Sequence, residues 1–163
     1  MAGVYVSLGS NINPAANICA CAQQLQQDFP DTVFSRVYQT PAEGFSGAPF
    51  LNLAAGFTTS LSPGTLKQYL RNLESKQGRN RNEKKFSSRT LDVDLLLYDG
   101  LIIPEQNLPH QDILAYPFVL YPLAEIAPAL PYPGLSESLA ELAKRSTLPQ
   151  ETLTAVSLDC FRQ

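Results

Sequence analysis

The stretch from Ser87 to Gly100, SSRTLDVDLLLYDG, constrains the fold more than any other part of the chain. Its alternating apolar residues read as a β-strand with an enclosed face, and such a strand needs neighbouring strands and a covering layer. Side chains alternate along a strand. Leu91, Val93, Leu95 and Leu97 are therefore expected on one face, with Thr90, Asp92, Asp94, Leu96 and Tyr98 on the other. Asp92 and Asp94 would then lie about 6.6 Å apart, two strand rises of about 3.3 Å. At an effective dielectric of about 20, two unit charges at that distance repel by about 2.5 kcal/mol. An arginine, a shared proton or a divalent cation would each offset that cost. Among cations, Mg²⁺ suits hard oxygen donors completed by water and phosphate. The plain alternative is a pair of solvated acids on an open sheet face.

The rest of the chain supplies partners for this strand. GVYVSL (3–8) reads as a first strand ending in a GSN turn. A helix follows, with Asn13 at its N-cap, Pro14 in its first turn and an apolar stripe of Ile18, Cys21, Ala22 and Leu25. TVFSRVYQT and FLNLAAGFTTSL read as two strands separated by a loop rich in Pro and Gly. A second helix starts at Ser62-Pro63 and closes at Gly78, with Leu66, Tyr69, Leu70 and Leu73 as its stripe. A turn is expected at Asp99-Gly100, and a short helix in SLAELAKRS. The order β-α-β-β-α-β predicts an α+β fold, a ferredoxin-like antiparallel sheet with helices packed on it in α/β/α layers. Neither an internal repeat nor a linker is visible, so residues 1–163 read as one domain.

Charge is distributed unevenly. Between Lys67 and Arg89 lie eight of the twelve basic residues, opposed only by Glu74 and Glu83, within a chain of net charge −3. A nucleic-acid binder is usually basic throughout, whereas a local basic segment on an acidic chain suits a small polyanion such as a nucleotide. No apolar run is long enough to span a membrane, and the N-terminus lacks the pattern of a signal peptide. The expectation is a cytoplasmic protein. Cys19, Cys21 and Cys160 lack zinc or CxxC spacing and are expected as reduced, partly buried thiols. There is no Walker-type glycine loop, so a phosphate cradle would have to come from side chains and metal.

Several blocks together resemble one family. LGSN, VYQTPAEGF, FLNLAAGF, LESKQGRNRNEKKFSSRTLDVDLLLYDG, LPH and FVLYPLAEIAP are similar to 6-hydroxymethyl-7,8-dihydropterin pyrophosphokinase of folate biosynthesis, over nearly four-fifths of the chain. The resemblance implies transfer of a pyrophosphoryl group from MgATP to the pterin hydroxymethyl oxygen, with release of AMP. It implies two Mg²⁺ ions held by Asp92 and Asp94, and a catalytic set of Arg79, Arg89, Asp92 and Asp94. ATP would be met by Glu74, Arg79, Arg81, Arg89 and His110. The pterin would be met by Thr40, Pro41, Glu43, Phe50, Asn52 and Phe118, with the two phenylalanines sandwiching its ring. Gly9, Ser10 and Asn11 would support the same site. The implied partners are ATP and the pterin, with no nucleic acid and no membrane, and the protein acting as a monomer.

The chain also departs from that family. Phe86 stands where Trp is frequent, Asn82 where a basic residue is, and Tyr116 where Arg is, and the loop GFSGAPFLN is shorter by about one residue. Losing an arginine at 116 would remove a charge-assisted contact of about 1.5–3 kcal/mol. A catalytically weak binding paralogue is the competing reading. Segments 79–89 and 42–49 are expected to close over the substrates.

Overall fold

Strand β1 (Ala2–Ser10) buries Val4, Val6 and Leu8 on one face and pairs antiparallel on both sides. This is the position its largely apolar run calls for, because a central strand has no free edge to protect. In the computed structural model, which describes residues 1–41, 47–76 and 90–161, its neighbours are β4 (Phe50–Thr59) and β5 (Asp92–Tyr98). Beyond β4 lie β2 (Val33–Phe34) and β3 (Val37–Thr40), and β6 (Thr154–Val156) closes the outer side of β3. The sheet has six strands among the described residues, every pairing antiparallel.

Two cores form, one on each face. Helices α1 (Pro14–Asp28) and α2 (Pro63–Lys76) press Ile18, Cys21, Leu25, Leu66, Leu70 and Leu73 against Val4, Val6, Leu8, Leu53, Val93 and Leu95. On the other face α3 (Pro117–Ile126) and α4 (Leu139–Arg145) bring Val119, Leu120, Leu123, Leu139 and Leu142 onto Ala54, Leu96 and Leu97. The expected layered α+β fold is present. The helix starts follow their sequence signals. The Ser62 hydroxyl accepts the Thr65 N–H (3.3 Å), and Ser138 with Glu141 forms a capping box. Asn13 takes the cap position of α1 in the left-handed region (φ 43°) without a side-chain cap bond. Asp99 sits in the expected turn and accepts the Gly3 N–H (2.8 Å). Among the described residues no helix is long and apolar enough to cross a membrane.

Three expectations are corrected. TVFSRVYQT is not one strand. The Ser35 hydroxyl takes the Ala54 N–H at 2.9 Å in place of a main-chain carbonyl, which breaks the ladder between β2 and β3. The strict alternation along β5 fails beyond Leu96. A β-bulge sets Val6 opposite Leu95 but Tyr5 opposite Leu97, leaving Leu96 as the extra residue. Leu96 and Leu97 therefore both join the α3 core, while Tyr98 swings to the α1/α2 side and its hydroxyl donates to the Leu61 carbonyl (2.6 Å). Finally, Cys19 and Cys160 are not reduced thiols but form a disulfide, and only Cys21 is a free, buried cysteine. Their separation of 141 residues hid the pairing, since spacing in the sequence says nothing about which helix face a distant segment reaches.

Candidate active site

Among the described residues no strand lies beside the outer edge of β5, so its main-chain groups there need other partners. Helix α2 and the segment after β5 provide them. Glu74 is buried, and its Oε2 accepts the Val93 N–H at 2.8 Å, between the two aspartates. The carbonyl of the bulged Leu96 accepts the His110 N–H at 2.9 Å. The bulge thus fixes where His110 stands. Between these two anchors lies a cleft of about 270 Å³ lined by Lys67, Arg71 and Glu74 of α2, Asp92 and Asp94 of β5, and Gln106, Asn107 and His110.

The chemistry of this cleft suits a polyanion bound with a cation. Burial, aided by the neighbouring Arg71, holds the Lys67 ammonium below its ordinary pKa. Its Nζ donates to the Gln106 carbonyl oxygen. The His110 Nδ1 accepts the Asp112 N–H at 3.0 Å and lies 3.9 Å from Asp112 Oδ2, which fixes the orientation of the ring. Asp92 and Asp94 are half-buried at the floor, where two carboxylates can offer hard oxygen donors to Mg²⁺. Asp94, His110 and Asp112 also bring one ligating atom each within 4.8 Å of one another.

A second group of expected residues lies on the α3 face of the same sheet end. Register puts Asp92 opposite Gly9, Gly9 opposite Asn52 and Asn52 opposite Tyr38, a single row across four strands. Asp92 and Asn52 are thus two strand spacings apart, about 10 Å. Asn52 is buried and its Nδ2 donates to Thr40 Oγ1 at 2.7 Å. A Cβ at Gly9 would stand 2.9 Å from Asn52 Oδ1, so any larger residue there would have to displace that amide. Ser10 Oγ donates to the Thr90 carbonyl (2.5 Å) and Asn11 Nδ2 to the Ala48 carbonyl (3.0 Å), tying the β1 end to both flanking segments. Phe50 is half-buried at the start of β4, 3.9 Å from the same Gly9 Cβ position. Phe118 is half-buried in the first turn of α3, stacked on Tyr116 (5.1 Å between centroids, 23°). At the position where the resemblance implies an arginine, this chain therefore has a ring stacked on Phe118.

The expected residues thus separate by place. Glu74, Asp92, Asp94 and His110 line the cleft, while Thr40, Phe50 and Asn52 share the α3 face of the sheet with the aspartates. Pro41 is exposed just beyond Thr40. Glu43, Arg79, Arg81 and Arg89 lie outside the described residues, as do Asn82 and Phe86 and most of the two segments expected to close. Sequence reasoning counted Lys67 and Arg71 in the basic segment suited to a polyanion but gave neither a role of its own. Their spacing with Glu74, four and then three residues, puts all three on one helical face and was a usable signal. Gln106, Asn107 and Asp112 carried none.

Comparison with known proteins agrees with this geometry. The family model described as 7,8-dihydro-6-hydroxymethylpterin-pyrophosphokinase matches residues 5–128. A 2-amino-4-hydroxy-6-hydroxymethyldihydropteridine pyrophosphokinase from Methylorubrum extorquens is 36% identical over 150 residues, covering 87% of this chain and 94% of its own. The enzyme of the same name from Haemophilus influenzae is 36% identical over 151 residues, 89% of this chain and 93% of its own. Among solved structures, an HPPK-DHPS in complex with substrates superposes with a TM-score of 0.68 at 12% identity, over 88% of this chain and 43% of the longer one. Plasmodium falciparum HPPK-DHPS gives 0.65 at 11% identity, over 88% and 44%. The structures establish the fold. Sequence identity at that level across nearly the full length of separate bacterial enzymes goes further: the chain belongs to the 7,8-dihydro-6-hydroxymethylpterin-pyrophosphokinase family.

Proposed function

We infer that the chain performs its family's reaction at the outer edge of β5: transfer of a pyrophosphoryl group from ATP to the hydroxymethyl oxygen of 6-hydroxymethyl-7,8-dihydropterin, with AMP released. The observation that carries this placement is the double position of Asp92 and Asp94. They line the cleft formed with α2 and share the α3 face with Gly9, Asn52 and Phe50. A phosphate chain held in the cleft would present its β-phosphorus toward a hydroxyl held above Asn52.

Asp92 and Asp94 are proposed to hold Mg²⁺, two ions with ATP, and the carboxylate donors fit such a cation. The metal would supply neutralisation of the triphosphate charge. The residues themselves position and orient. Lys67 and Arg71 attract the nucleotide, and the His110 ring is proposed to donate to phosphate oxygen. Arg79, Arg81 and Arg89 are proposed as phosphate ligands, with Arg79 and Arg89 offsetting charge as the bond to AMP breaks. Phe50 and Phe118 are proposed to stack on the pterin. Asn52 reads its edge, and Thr40, Pro41 and Glu43 bound it. In the reaction the pterin oxygen attacks the β-phosphorus, the bond to the α-phosphate oxygen breaks, and the hydroxyl proton leaves to solvent or phosphate. We read residues 1–163 as one domain working as a monomer in the cytoplasm, without nucleic acid or membrane.

The test is product identity. Purified protein with MgATP and the reduced pterin should give pterin-dependent AMP, lost in the Asp92→Ala and Asp94→Ala variants. Formation of ADP in place of AMP, or no turnover by folded protein that binds both substrates, would overturn the reading.

A further inference from the structure

We propose that Cys19–Cys160 is a reversible thiol–disulfide site, taking a dithiol reductant, whose state decides whether β6 stays docked on β3 beside the pterin-facing residues. The proposal rests on the functional reading above for its effect on turnover, but not for its structural effect.

Strand β6 is short. It meets β3 through three residue pairs only, Val37 with Val156, Tyr38 with Ala155 and Gln39 with Thr154, and two of its three residues are exposed. A strand of that length holds marginally without further support. The support comes from its last residue and the segment after it: Val156, Leu158 and Phe161 pack onto the α1/α2 core, Phe161 edge-on to Phe34 (5.1 Å, 67°), and Cys160 is bonded to Cys19 on α1. Cys19 and Cys160 are both half-buried, so neither is sealed in a core. Cys21, the remaining cysteine, is fully buried with its thiol pushed up to about 12, and so does not compete in exchange.

What β6 covers gives the site its meaning. Tyr38 pairs with Asn52 across β3 and β4, and Thr40 accepts the Asn52 amide. Release of β6 would free the outer edge of β3 at Tyr38 and Gln39 and loosen the strand that orients Asn52. The exchange is balanced. A thiolate of the reductant attacks one sulfur of the Cys19–Cys160 bond and expels the other as thiolate. The second thiol of the reductant then resolves the mixed disulfide. Two electrons and two protons pass to the cysteines, and the dithiol leaves as a disulfide.

The experiment compares the wild-type protein, air-oxidised and after dithiothreitol, with the Cys160→Ser variant. Oxidised protein should show one free thiol on denaturation and reduced protein three. Hydrogen exchange at β3 and β6 should quicken on reduction while β1 and β5 stay protected. The KM for the pterin should rise about fivefold with kcat little changed, a coupling at the low end of the usual range. Cys160→Ser should match the reduced protein and ignore dithiothreitol. Unchanged exchange at β3 and β6 overturns the proposal, as does quickened exchange with an unchanged KM. If neither state turns over the pterin, the functional reading fails, and hydrogen exchange alone decides whether the disulfide docks β6.

Discussion

Glu74 Oε2 lies 2.8 Å from the main-chain nitrogen of Val93, the residue between Asp92 and Asp94. A buried carboxylate is thus bonded to the backbone of the strand that carries the two acids, and the helix that supplies it also supplies Lys67 and Arg71 to the same cleft. Replacing Glu74 by Leu keeps the bulk but removes the acceptor, leaving the Val93 N–H unpaired. The expected loss is about 1–3 kcal/mol in urea unfolding, with weaker ATP binding. Glu74→Gln retains an acceptor and should lose less on both counts.

Asp92→Asn and Asp94→Asn should separate stability from activity. Both carboxylates are half-exposed, so each isosteric amide should move the unfolding free energy without Mg²⁺ by no more than about 1 kcal/mol in either direction. AMP formation should fall by about 100-fold or more, the scale of losing one charge-stabilising group. A parallel fall in stability and rate would instead make these residues structural.

Gly9→Ala places a Cβ 2.9 Å from Asn52 Oδ1, and Asn52 is buried and bonded to Thr40, so it has little freedom to yield. Overpacking of this kind costs about 1–3 kcal/mol. The KM for the pterin should rise while equilibrium binding of ATP alone is kept. Isothermal titration with each ligand separately makes the comparison.

At the opposite end of the sheet, the Tyr69 hydroxyl donates to Asp28 Oδ2 at 2.6 Å. That bond, with a second from Gln24, holds the Asp28 carboxyl below its ordinary value of 3.8. A depressed carboxylate contributes stability that is present above the unfolded-state pKa and lost as pH falls through the folded one. The stability difference between wild type and Tyr69→Phe should thus be level above about pH 5 and shrink below about pH 4 as Asp28 protonates. A difference that is the same at pH 3 and pH 7 would show that the Tyr69 hydroxyl acts independently of the Asp28 charge.

Burial raises the Cys21 thiol to about 12, with the nearby Glu74 carboxylate adding to the effect. Thiolate is the reactive form, so iodoacetamide at pH 8 should leave Cys21 unmodified in the folded protein and label it on unfolding. Rapid labelling of the native protein would mean that the α1/α2 core opens often.

Much of this was legible in the sequence, for identifiable reasons. The stripes of α1 and α2 followed helical spacing and were found intact, because one apolar face suffices to dictate how such a helix packs. The aspartates were identifiable because two charges in an apolar strand demand explanation. Tyr98 and Leu97 were misplaced because a bulge has no compositional mark, and one extra residue reverses all later alternation. Ser35 hid a break for a related reason: a hydroxyl can replace a backbone acceptor without altering the pattern. The disulfide and β6 depend on contacts between distant segments, which local periodicity does not encode.

The bulge at Leu96 divides β5 into two independently oriented halves. Residues before it are phased to Gly9 and Ser7, and residues after it to Tyr5 and Val4. Substitutions or length changes beyond Leu96 can accordingly be absorbed at the bulge without turning the carboxylates away from their cleft. The same change placed between Asp94 and the bulge would rotate the acids relative to the His110 anchor. The tolerance of this strand to insertion should therefore be lopsided: permissive toward Asp99, forbidding between Asp94 and Leu96.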